Sequence, residues 1–441
     1  MSEKTFHIAN FGCRASQSEG AAIQEELIDS GAKASTSAFD ANVVVVNSCT
    51  VTEEADRDAR HMIRRVAARN PEARIIVTGC YAQRAPEEIA SLPGVQYVVG
   101  NSHKPLVGRL TLNVLDNDAA ETGRAEIFCS DIFLEHDLKP RSHSGSAGRT
   151  RAVVKVQDGC NANCSFCIIP SVRGRSRSMD PGAVLAEVQS LVERGYKEVV
   201  LSGIHLGTYG RDLGARSSFG ALIQRILAEI PGLERIRLSS IEPLEVTPEI
   251  IDLVAGEPRL AHHFHIPLQS GSRRILREMR RPYTADYYAD LLHTIRSRVE
   301  DAAIGADVMV GFPGESDEEF FETYRLIENS PLTYLHVFPY SSRPGTPAAE
   351  MPAQVPAHVS QFRSKALRQL IAKKNESFRS GMIGRDLEVL VLSSGEAMSN
   401  NFIHVFPDEE LSQNIWTFVR VTSLREEGLA AVRRPARART D

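Results

Sequence analysis

The stretch VQDGCNANCSFCIIPSVRGRSRS, residues 156–178, places three cysteines within eight residues and follows them with three arginines. Cys160, Cys164 and Cys167 have the spacing C-x3-C-x2-C, which lacks the fourth protein ligand of a structural zinc site. Three thiolates on one short loop can hold three irons of a cubane [4Fe–4S] cluster, and the fourth iron then stays open to a small chelating ligand. The spacing therefore favours an iron–sulfur site, with zinc as the main rival.

The composition of the whole chain limits the classes of protein to consider. The chain has 441 residues, of which 42% are apolar and 24% charged, which is typical of two or three globular domains. No apolar run is long enough to span a bilayer and the N-terminal residues lack signal-peptide features, so we expect a cytoplasmic protein without a membrane partner. The odd number of cysteines, seven, argues against a disulfide framework and favours metal or redox chemistry.

Three further cysteines occupy equivalent positions in the first part of the chain. Strand-like and helix-like runs alternate there, which predicts an α/β domain with an open sheet over residues 1–133. Cys13, Cys49 and Cys80 each follow a predicted strand, at FHIANFG, NVVVVNS and RIIVTG. Because the carboxyl ends of parallel strands share one edge of a sheet, these thiols should converge. A second metal site is a better explanation than three unrelated buried cysteines.

The rest of the chain divides into three parts. A stretch rich in Pro, Ser, Gly and His predicts a linker over 134–150. Six βα units follow over 151–378, with strands at AVVKVQ, EVVLSG, RIRLSS, HFHIPL, AIGADVMVG and YLHVFPY, and with a trailing helix. They predict a partial parallel barrel whose active face lies at the strand carboxyl ends, where the Cys160 loop begins. Short β-like runs over 379–441 predict a small β-barrel, either a nucleic-acid-binding module or a structural cap.

The net charge of −5 gives no sign of a polyanionic partner, but arginines are clustered locally. One cluster follows the cysteine loop, a second lies within 273–281, and a third is at the tail with Arg433, Arg434, Arg437 and Arg439. Such clusters can bind a polyanion through their local field, or they are ordinary solvated surface.

Together these motifs resemble one protein family. The C-x3-C-x2-C loop after the first strand of a six-unit βα barrel is similar to the radical S-adenosylmethionine (SAM) superfamily. The segments KVQDGCNANCSFCIIPSVRGRSRS, FGCRASQSE, NSCTVTEEADRDAR and VTGCYAQR resemble the methylthiotransferases. They are most similar to the branch that converts N6-threonylcarbamoyladenosine at position 37 of tRNA to its 2-methylthio form. The resemblance covers nearly the whole chain and implies a C-terminal TRAM-like barrel. One departure is Ser16, where the family usually has Asn.

The resemblance implies SAM and two [4Fe–4S] clusters as cofactors. Cys160, Cys164 and Cys167 would ligate the cluster that binds SAM, and Cys13, Cys49 and Cys80 would ligate a second cluster that holds or supplies the sulfur. The adenine C2 position has no acidic proton, so its activation requires a radical derived from SAM. The sulfur would be methylated by another SAM. No catalytic residue beyond the cluster ligands is implied, and Cys129 is expected to be a small buried residue.

The resemblance also implies contacts to SAM and to RNA. The implied SAM contacts follow successive strands: Ser202, Gly203, Ser240, Glu242, Gln269, Ser270 and Gly311. Sharp turns alone are an alternative reason for the glycines. Arg173, Arg175 and Arg177 would contact the anticodon loop of tRNA, whose target base must be everted. An electron donor such as a flavodoxin or ferredoxin is a further implied partner. His265 is expected to be a packed strand residue and not a ligand.

Two alternatives remain open from the sequence. Sister branches of the family methylthiolate isopentenyladenosine at position 37 of tRNA or an aspartate of a ribosomal protein. In the other alternative, the chain is an RNA-binding protein whose cysteines hold a structural metal. Such a protein would show neither iron and sulfide nor SAM cleavage under reducing conditions.

Overall fold

The computed structural model describes residues 4–116, 124–136, 138, 150–214 and 217–434. The first part of the chain forms one parallel sheet with helices on both faces. Its strands are β1 (Thr5–Asn10), β2 (Lys33–Ala34), β3 (Val43–Ser48), β4 (Arg74–Gly79), β5 (Val95–Val99) and β6 (Glu126–Phe128). Its helices are α1 (Arg14–Asp29), α2 (Glu53–Arg69), α3 (Cys80–Arg84), α4 (Pro86–Ala90) and α5 (Val107–Asp116). The strand order is β2-β1-β3-β4-β5-β6, as expected for an open α/β sheet.

Strand β3 shows why this sheet forms. All six of its residues are buried, because helices cover both faces of the sheet. Val44 and Val46 pack with Ile63 of α2, whereas Val43 and Val45 pack with residues of α1 and α5 on the opposite face. Strands β1 and β4 flank β3 in parallel register, so the carboxyl ends of these three strands lie side by side.

The middle of the chain forms the partial parallel barrel. Its strands, including a short two-stranded ribbon, are β7 (Arg151–Lys155), β8 (Gln157–Asp158), β9 (Arg177–Ser178), β10 (Glu198–Ser202), β11 (Arg235–Leu238), β12 (His263–His265), β13 (Ala303–Val310) and β14 (Tyr334–Pro339). Its helices are α6 (Ile169–Arg173), α7 (Pro181–Glu193), α8 (Phe219–Glu229), α9 (Pro248–Gly256), α10 (Arg273–Glu278), α11 (Ala285–Arg298), α12 (Asp317–Asn329) and α13 (Ala357–Ser380).

All six predicted barrel strands are present. They form two parallel sheets, β11-β10-β7 and β12-β13-β14, and an isolated bridge between Ile236 and Leu260 connects the two halves. The antiparallel ribbon of β8 and β9 is a feature that the sequence did not indicate. It pairs the chain just before the cysteine loop with the chain just after it, so both ends of the loop are fixed.

The C-terminal part is a closed five-stranded barrel, which confirms the predicted small β-barrel. The strands are β15 (Asp386–Val391), β16 (Ala397–Ser399), β17 (His404–Pro407), β18 (Trp416–Arg425) and β19 (Gly428–Arg433), joined in the order β15-β16-β17-β19-β18. This barrel packs on the amino end of the parallel barrel. There Arg237 donates to the backbone oxygens of Ser399 and Asn400, both at 3.3 Å, and Arg235 pairs with Glu388 at 2.6 Å.

The predicted linker over 134–150 lies mostly outside the described residues, as do Arg437 and Arg439 of the basic tail. Within the described part of the chain, no helix is both long and apolar enough to cross a bilayer.

Candidate metal centres

The first three cysteines converge at one edge of the N-terminal sheet. Cys49 directly follows β3, Cys80 directly follows β4, and Cys13 immediately precedes α1 after β1. The chain at Gly12 passes so close to Cys49 that a Cβ on Gly12 would lie 3.0 Å from Sγ of Cys49, and Gly12 has a φ of +100°. Only glycine fits this approach without strain. Cys13, Cys49 and Cys80, here called the N-terminal trio, thus follow three adjacent parallel strands.

Cys160, Cys164 and Cys167, here called the loop trio, lie on the segment between β8 and β9. Two backbone hydrogen bonds hold the loop. The Cys160 amide donates to the Gly174 oxygen at 3.1 Å, and the Cys167 amide donates to the Cys164 oxygen at 3.2 Å, which forms a turn. A Cβ on Gly159, whose φ is +72°, would lie 1.9 Å from the Arg175 oxygen. The backbone therefore closes tightly at the base of the loop.

The two trios are neighbours in space. Cys80 of the N-terminal trio packs in one small apolar cluster with Ile168 and Val172, and Ile168 is the residue after Cys167. Asn101 connects the same elements, because its Nδ2 donates to the Val172 oxygen at 2.8 Å and lies 3.6 Å from Sγ of Cys80. The sequence predicted each group of cysteines but not this contact between them.

The spacing of the thiols separates an iron–sulfur cluster from a single metal ion. All seven cysteines are free thiols. A tetrahedral zinc ion with Zn–S bonds of about 2.3 Å holds its sulfurs about 4 Å apart. Among the described residues, neither trio has its ligand atoms within 4.8 Å of one another. Neither trio is therefore gathered around one tetrahedral ion, whereas in a cubane cluster each thiolate binds a different iron.

Cys49 and Cys167 need metal in order to lose their protons. Burial raises the pKa of Cys49 and the pKa of Cys167 to about 12. Both thiols are therefore neutral without metal, and iron binding displaces the protons.

Three of the six thiols in the two trios each have a side-chain nitrogen close to the sulfur. Nε of Arg173 donates to Cys80 at 3.3 Å, and Nη1 of Arg281 donates to Cys164 at 3.2 Å. Hydrogen bonds to sulfur adjust the reduction potential of an iron–sulfur cluster.

At the third thiol, Nδ1 of His205 lies 3.4 Å from Sγ of Cys160. Sequence reasoning missed His205 and the role of Arg281. The sequence offered only the positions of these residues as signals: His205 lies in the turn after β10, and Arg281 ends the second arginine cluster.

Arg173 corrects the expectation that three loop arginines face an RNA. Its side chain is 1% exposed and pairs with Glu19 and Asp158, both at 2.9 Å. Lys155 contacts the same two carboxylates, at 2.7 and 2.9 Å, and Lys104 pairs with Glu19. Burial alone would raise the pKa of both carboxyl groups, but the surrounding cations outweigh burial and lower the pKa values. Arg173 is thus part of a buried ionic network between the two trios.

The neighbouring arginines differ from each other. Arg177 is 8% exposed and donates to the Arg173 oxygen at 2.8 Å, so it also does not fit a direct RNA contact. Arg175 is exposed. Ser16, the departure from the family pattern, is buried between Arg173 and Cys13: Nη2 of Arg173 donates to its Oγ at 3.3 Å, and Sγ of Cys13 lies 3.7 Å away.

The residues predicted to contact SAM all lie at the carboxyl edge of the parallel barrel. They end or follow β10 (Ser202, Gly203), β11 (Ser240, Glu242), β12 (Gln269, Ser270) and β13 (Gly311). Glu242 pairs with Arg281, which also contacts Cys164, so this carboxylate is tied to the loop trio.

Two of these residues, Ser270 and Gly311, are packed inside the protein. Ser270 is fully buried and accepts from the Ser272 amide at 3.1 Å. A Cβ on Gly311 would lie 1.9 Å from Oγ of Ser360, so packing alone requires glycine there. Both residues therefore have a packing role, and their expected contact with SAM stays a prediction, whereas Ser240, Glu242 and Gln269 keep accessible side chains. Cys129 is half-buried rather than fully buried and belongs to neither trio.

Comparisons with known proteins agree with this arrangement. The family model of the radical SAM superfamily matches residues 154–327, and the model described as uncharacterized protein family UPF0004 matches residues 5–100. The solved structure of the radical SAM methyltransferase TsrM from Kitasatospora setae, with cobalamin and a [4Fe–4S] cluster bound, has a TM-score of 0.55 at 14% identity. The alignment covers 79% of this chain and 74% of that chain, and it shows a shared fold. Fold and cysteine loop therefore define a radical SAM protein.

Curated relatives specify the family further. Threonylcarbamoyladenosine tRNA methylthiotransferase MtaB of Bacillus subtilis is 39% identical over 88% of this chain and 85% of its own length. The protein of the same name from Rickettsia prowazekii is 38% identical over 92% of each chain. A tRNA-2-methylthio-N(6)-dimethylallyladenosine synthase of Saccharopolyspora erythraea is 37% identical over 91% of this chain and 81% of its own length. The chain belongs to the radical SAM tRNA methylthiotransferases. It is an enzyme that uses SAM and [4Fe–4S] clusters.

Proposed function

We propose that this enzyme methylthiolates C2 of N6-threonylcarbamoyladenosine at position 37 of tRNA. The observation that carries the proposal is the packing of Cys80 against Ile168, the residue after Cys167. A methylthiolation needs a radical source and a sulfur source at one substrate carbon, and this packing puts the two cysteine trios side by side. When bound, SAM and its cluster supply the radical that removes the unactivated hydrogen, and the second cluster supplies the sulfur.

The protein residues bind and orient these groups. The loop trio holds the cluster that binds SAM, and the N-terminal trio holds the other cluster. Ser240, Glu242 and Gln269 contact SAM from the carboxyl edge of the barrel. Arg281 orients this face, because it pairs with Glu242 and donates to Cys164.

Exposed arginines around the loop support binding of the anticodon loop. Arg175 is exposed on the cysteine loop itself. Arg277 and Arg280 are exposed at the end of α10, which is tied to the loop by a hydrogen bond from the Ser165 amide to the Met279 oxygen at 3.1 Å. The target base is everted from the anticodon loop into this face, as enzymes that act on a base require. The C-terminal barrel binds the adjoining RNA.

The proposal includes an electron donor and a cellular location. Reduction of the SAM-binding cluster requires a low-potential partner such as a flavodoxin or a ferredoxin. Seven free cysteines and a tRNA substrate fit the reducing cytoplasm.

Isopentenyladenosine at position 37 is the second candidate substrate, because the relative from Saccharopolyspora erythraea is named for the dimethylallyl nucleoside. The reconstituted enzyme is incubated anaerobically with SAM, a reductant and one of two tRNA samples, carrying either threonylcarbamoyladenosine or isopentenyladenosine. Nucleoside mass spectrometry should show the methylthio increment on the first sample alone. An increment on the second sample alone would assign the enzyme to the sister branch.

A further inference from the structure

The lumen of the parallel barrel contains another group of metal-ligating side chains, apart from the cysteines. Side chains alternate in direction along a strand. Val308 and Val337 pack outward in the helix-facing core, so the residues just before them, Asp307 and His336, point into the lumen. The inward-pointing residues His265 of β12, Asp307 of β13 and His336 of β14 are here called the lumen triad. Their strands are adjacent, and Asp307 and His336 are direct partners in the register.

The geometry of the lumen triad fits one cation. One ligand atom from each residue lies within 4.8 Å of the other two, which is true of no other group of three or more His, Cys, Asp or Glu among the described residues. Oδ1 of Asp307 is 3.4 Å from Nε2 of His265 and 3.2 Å from Nδ1 of His336. His265 is 8% exposed, and its Nε2 makes no well-aligned hydrogen bond, although Oδ1 of Asp307 lies 3.4 Å away. A buried ring nitrogen that faces a carboxylate without an aligned hydrogen bond carries a desolvation cost, which a cation bound between the two groups would remove.

The second ring nitrogen of His265, Nδ1, has a hydrogen-bond partner, as is typical of a histidine that binds a metal. Nδ1 of His265 lies 2.7 Å from Oγ of Ser240. Metal-ligating histidines typically donate their second ring N–H to such a partner, which fixes the tautomer and directs the remaining lone pair at the metal. His265 is therefore more than the packed strand residue that the sequence suggested.

We infer that the lumen triad binds one divalent transition-metal cation. Two imidazoles and one carboxylate on one side of an ion form a facial ligand set that leaves the opposite positions open. The side chains of His336 and Asp307 are 55% and 24% exposed, so the open positions are accessible. This site is separate from both cysteine trios and is built from nitrogen and oxygen ligands only.

The open positions would take an oxygen anion, and this part of the inference depends on the proposed function. Asp307 is four residues before Gly311 at the carboxyl end of β13, about 13 Å along the strand. A substituent of the adenine base that enters the barrel from this end would extend toward the cation. A threonylcarbamoyl group offers a carboxylate to it, whereas an isopentenyl group offers no ligand atom.

Binding of Mn²⁺ to the cluster-loaded full chain tests the site. Manganese prefers nitrogen and oxygen ligands over thiolates, and the decrease of the six-line electron paramagnetic resonance signal of free Mn²⁺ measures the bound ion. We expect one bound Mn²⁺ per chain. The affinity should fall at least about tenfold in Asp307→Asn and in His336→Gln. His262→Gln is the matched control, because His262 pairs with Asp301 at 2.7 Å but has no third ligand.

Equilibrium dialysis with Zn²⁺ is done in parallel on the same proteins, with iron and sulfide assayed to verify the clusters. If the unchanged chain binds no more Mn²⁺ or Zn²⁺ than His336→Gln does, the inference is wrong and the triad is an ion-paired cluster. In a second step, the nucleoside threonylcarbamoyladenosine is added to the Mn²⁺-loaded enzyme. Tighter Mn²⁺ binding with this nucleoside, and not with isopentenyladenosine, is expected. Unchanged binding would overturn the carboxylate role while the metal site stands, independently of any catalytic assay.

Discussion

Nε of Arg173, at the end of α6, lies 3.3 Å from Sγ of Cys80, at the start of α3, although the two residues are 93 positions apart in the chain. Arg173 ends the short helix that follows the loop trio, and Cys80 is a member of the N-terminal trio. Arg173 thus links the N-terminal trio to the segment that carries the loop trio. Because it donates to the sulfur of one candidate cluster ligand, it should influence the electronic properties of that cluster.

The first prediction concerns this contact. Arg173→Lys keeps the positive charge beside Glu19 and Asp158 but removes the planar donor from Cys80. We expect the reduction potential of the cluster on the N-terminal trio to fall, because a hydrogen bond to sulfur stabilises the reduced, more negative state. The potential is measured by a redox titration in a background where the loop trio is replaced by alanine. Arg281→Lys is the control, because Arg281 contacts Cys164 instead. An equal shift in both variants would contradict a specific contact.

The second prediction concerns the buried network. Glu19→Gln removes the carboxylate that Arg173, Lys104 and Lys155 share, and only Arg173 and Lys155 also pair with Asp158. We expect a loss of about 3–5 kcal/mol in the free energy of unfolding, because breaking a buried ion pair leaves charges uncompensated. Thermal or denaturant unfolding measures this loss. Glu229→Gln, which breaks the exposed pair with Arg225, should cost less than about 1 kcal/mol. Similar small effects in both variants would show that the network is not important for stability.

The third prediction is a pH dependence. Burial raises the pKa of Glu187, on α7, to about 8 from an ordinary value of 4.5. As the pH rises from 4.5 to 8, the unfolded chain ionises this carboxyl group while the folded chain keeps it neutral. This residue therefore costs stability with increasing pH, about 1.4 kcal/mol per unit of pKa difference, and the cost is complete above the folded pKa.

Glu187→Gln should consequently raise the melting temperature more at about pH 8.5 than at about pH 5.5. Melting temperatures of both proteins at the two pH values give the difference directly. Glu193→Gln, an exposed position at the end of the same helix, should show no such pH-dependent gain. A gain of the same size at both pH values would contradict the raised pKa.

The fourth prediction separates the arginines of the cysteine loop. Arg175 is exposed, and its replacement by alanine should weaken tRNA binding and reduce the slope of log K against log salt by about one. Arg177 is buried, so Arg177→Ala should lower the melting temperature and leave that slope unchanged at temperatures where the protein is folded. Filter binding across a salt series measures the slope for both variants, and thermal unfolding measures the melting temperature. A reduced slope for Arg177 would show that it reaches the RNA.

The sequence predicted those features that depend on local pattern and strand direction. The convergence of Cys13, Cys49 and Cys80 followed from their position after parallel strands, and the six barrel strands followed from apolar runs of the correct length. The ribbon of β8 and β9 was missed, because strands of two residues carry too little pattern. The environment of Arg173 was predicted wrongly, because Glu19 lies 154 positions away in sequence. Neither ion pairs between distant elements nor the alignment of His265, Asp307 and His336 across three strands leaves a local signal.

The central claim is that two adjacent metal centres divide the reaction between them. The most direct test measures 5′-deoxyadenosine and the methylthio nucleoside together, in reactions of Cys49→Ala and Cys160→Ala with SAM, reductant and threonylcarbamoylated tRNA. We expect Cys160→Ala to form neither product. Cys49→Ala should still cleave SAM in part but form no methylthio nucleoside. If Cys49→Ala methylthiolates the tRNA, the N-terminal trio does not hold the sulfur-supplying centre, and the claim is wrong.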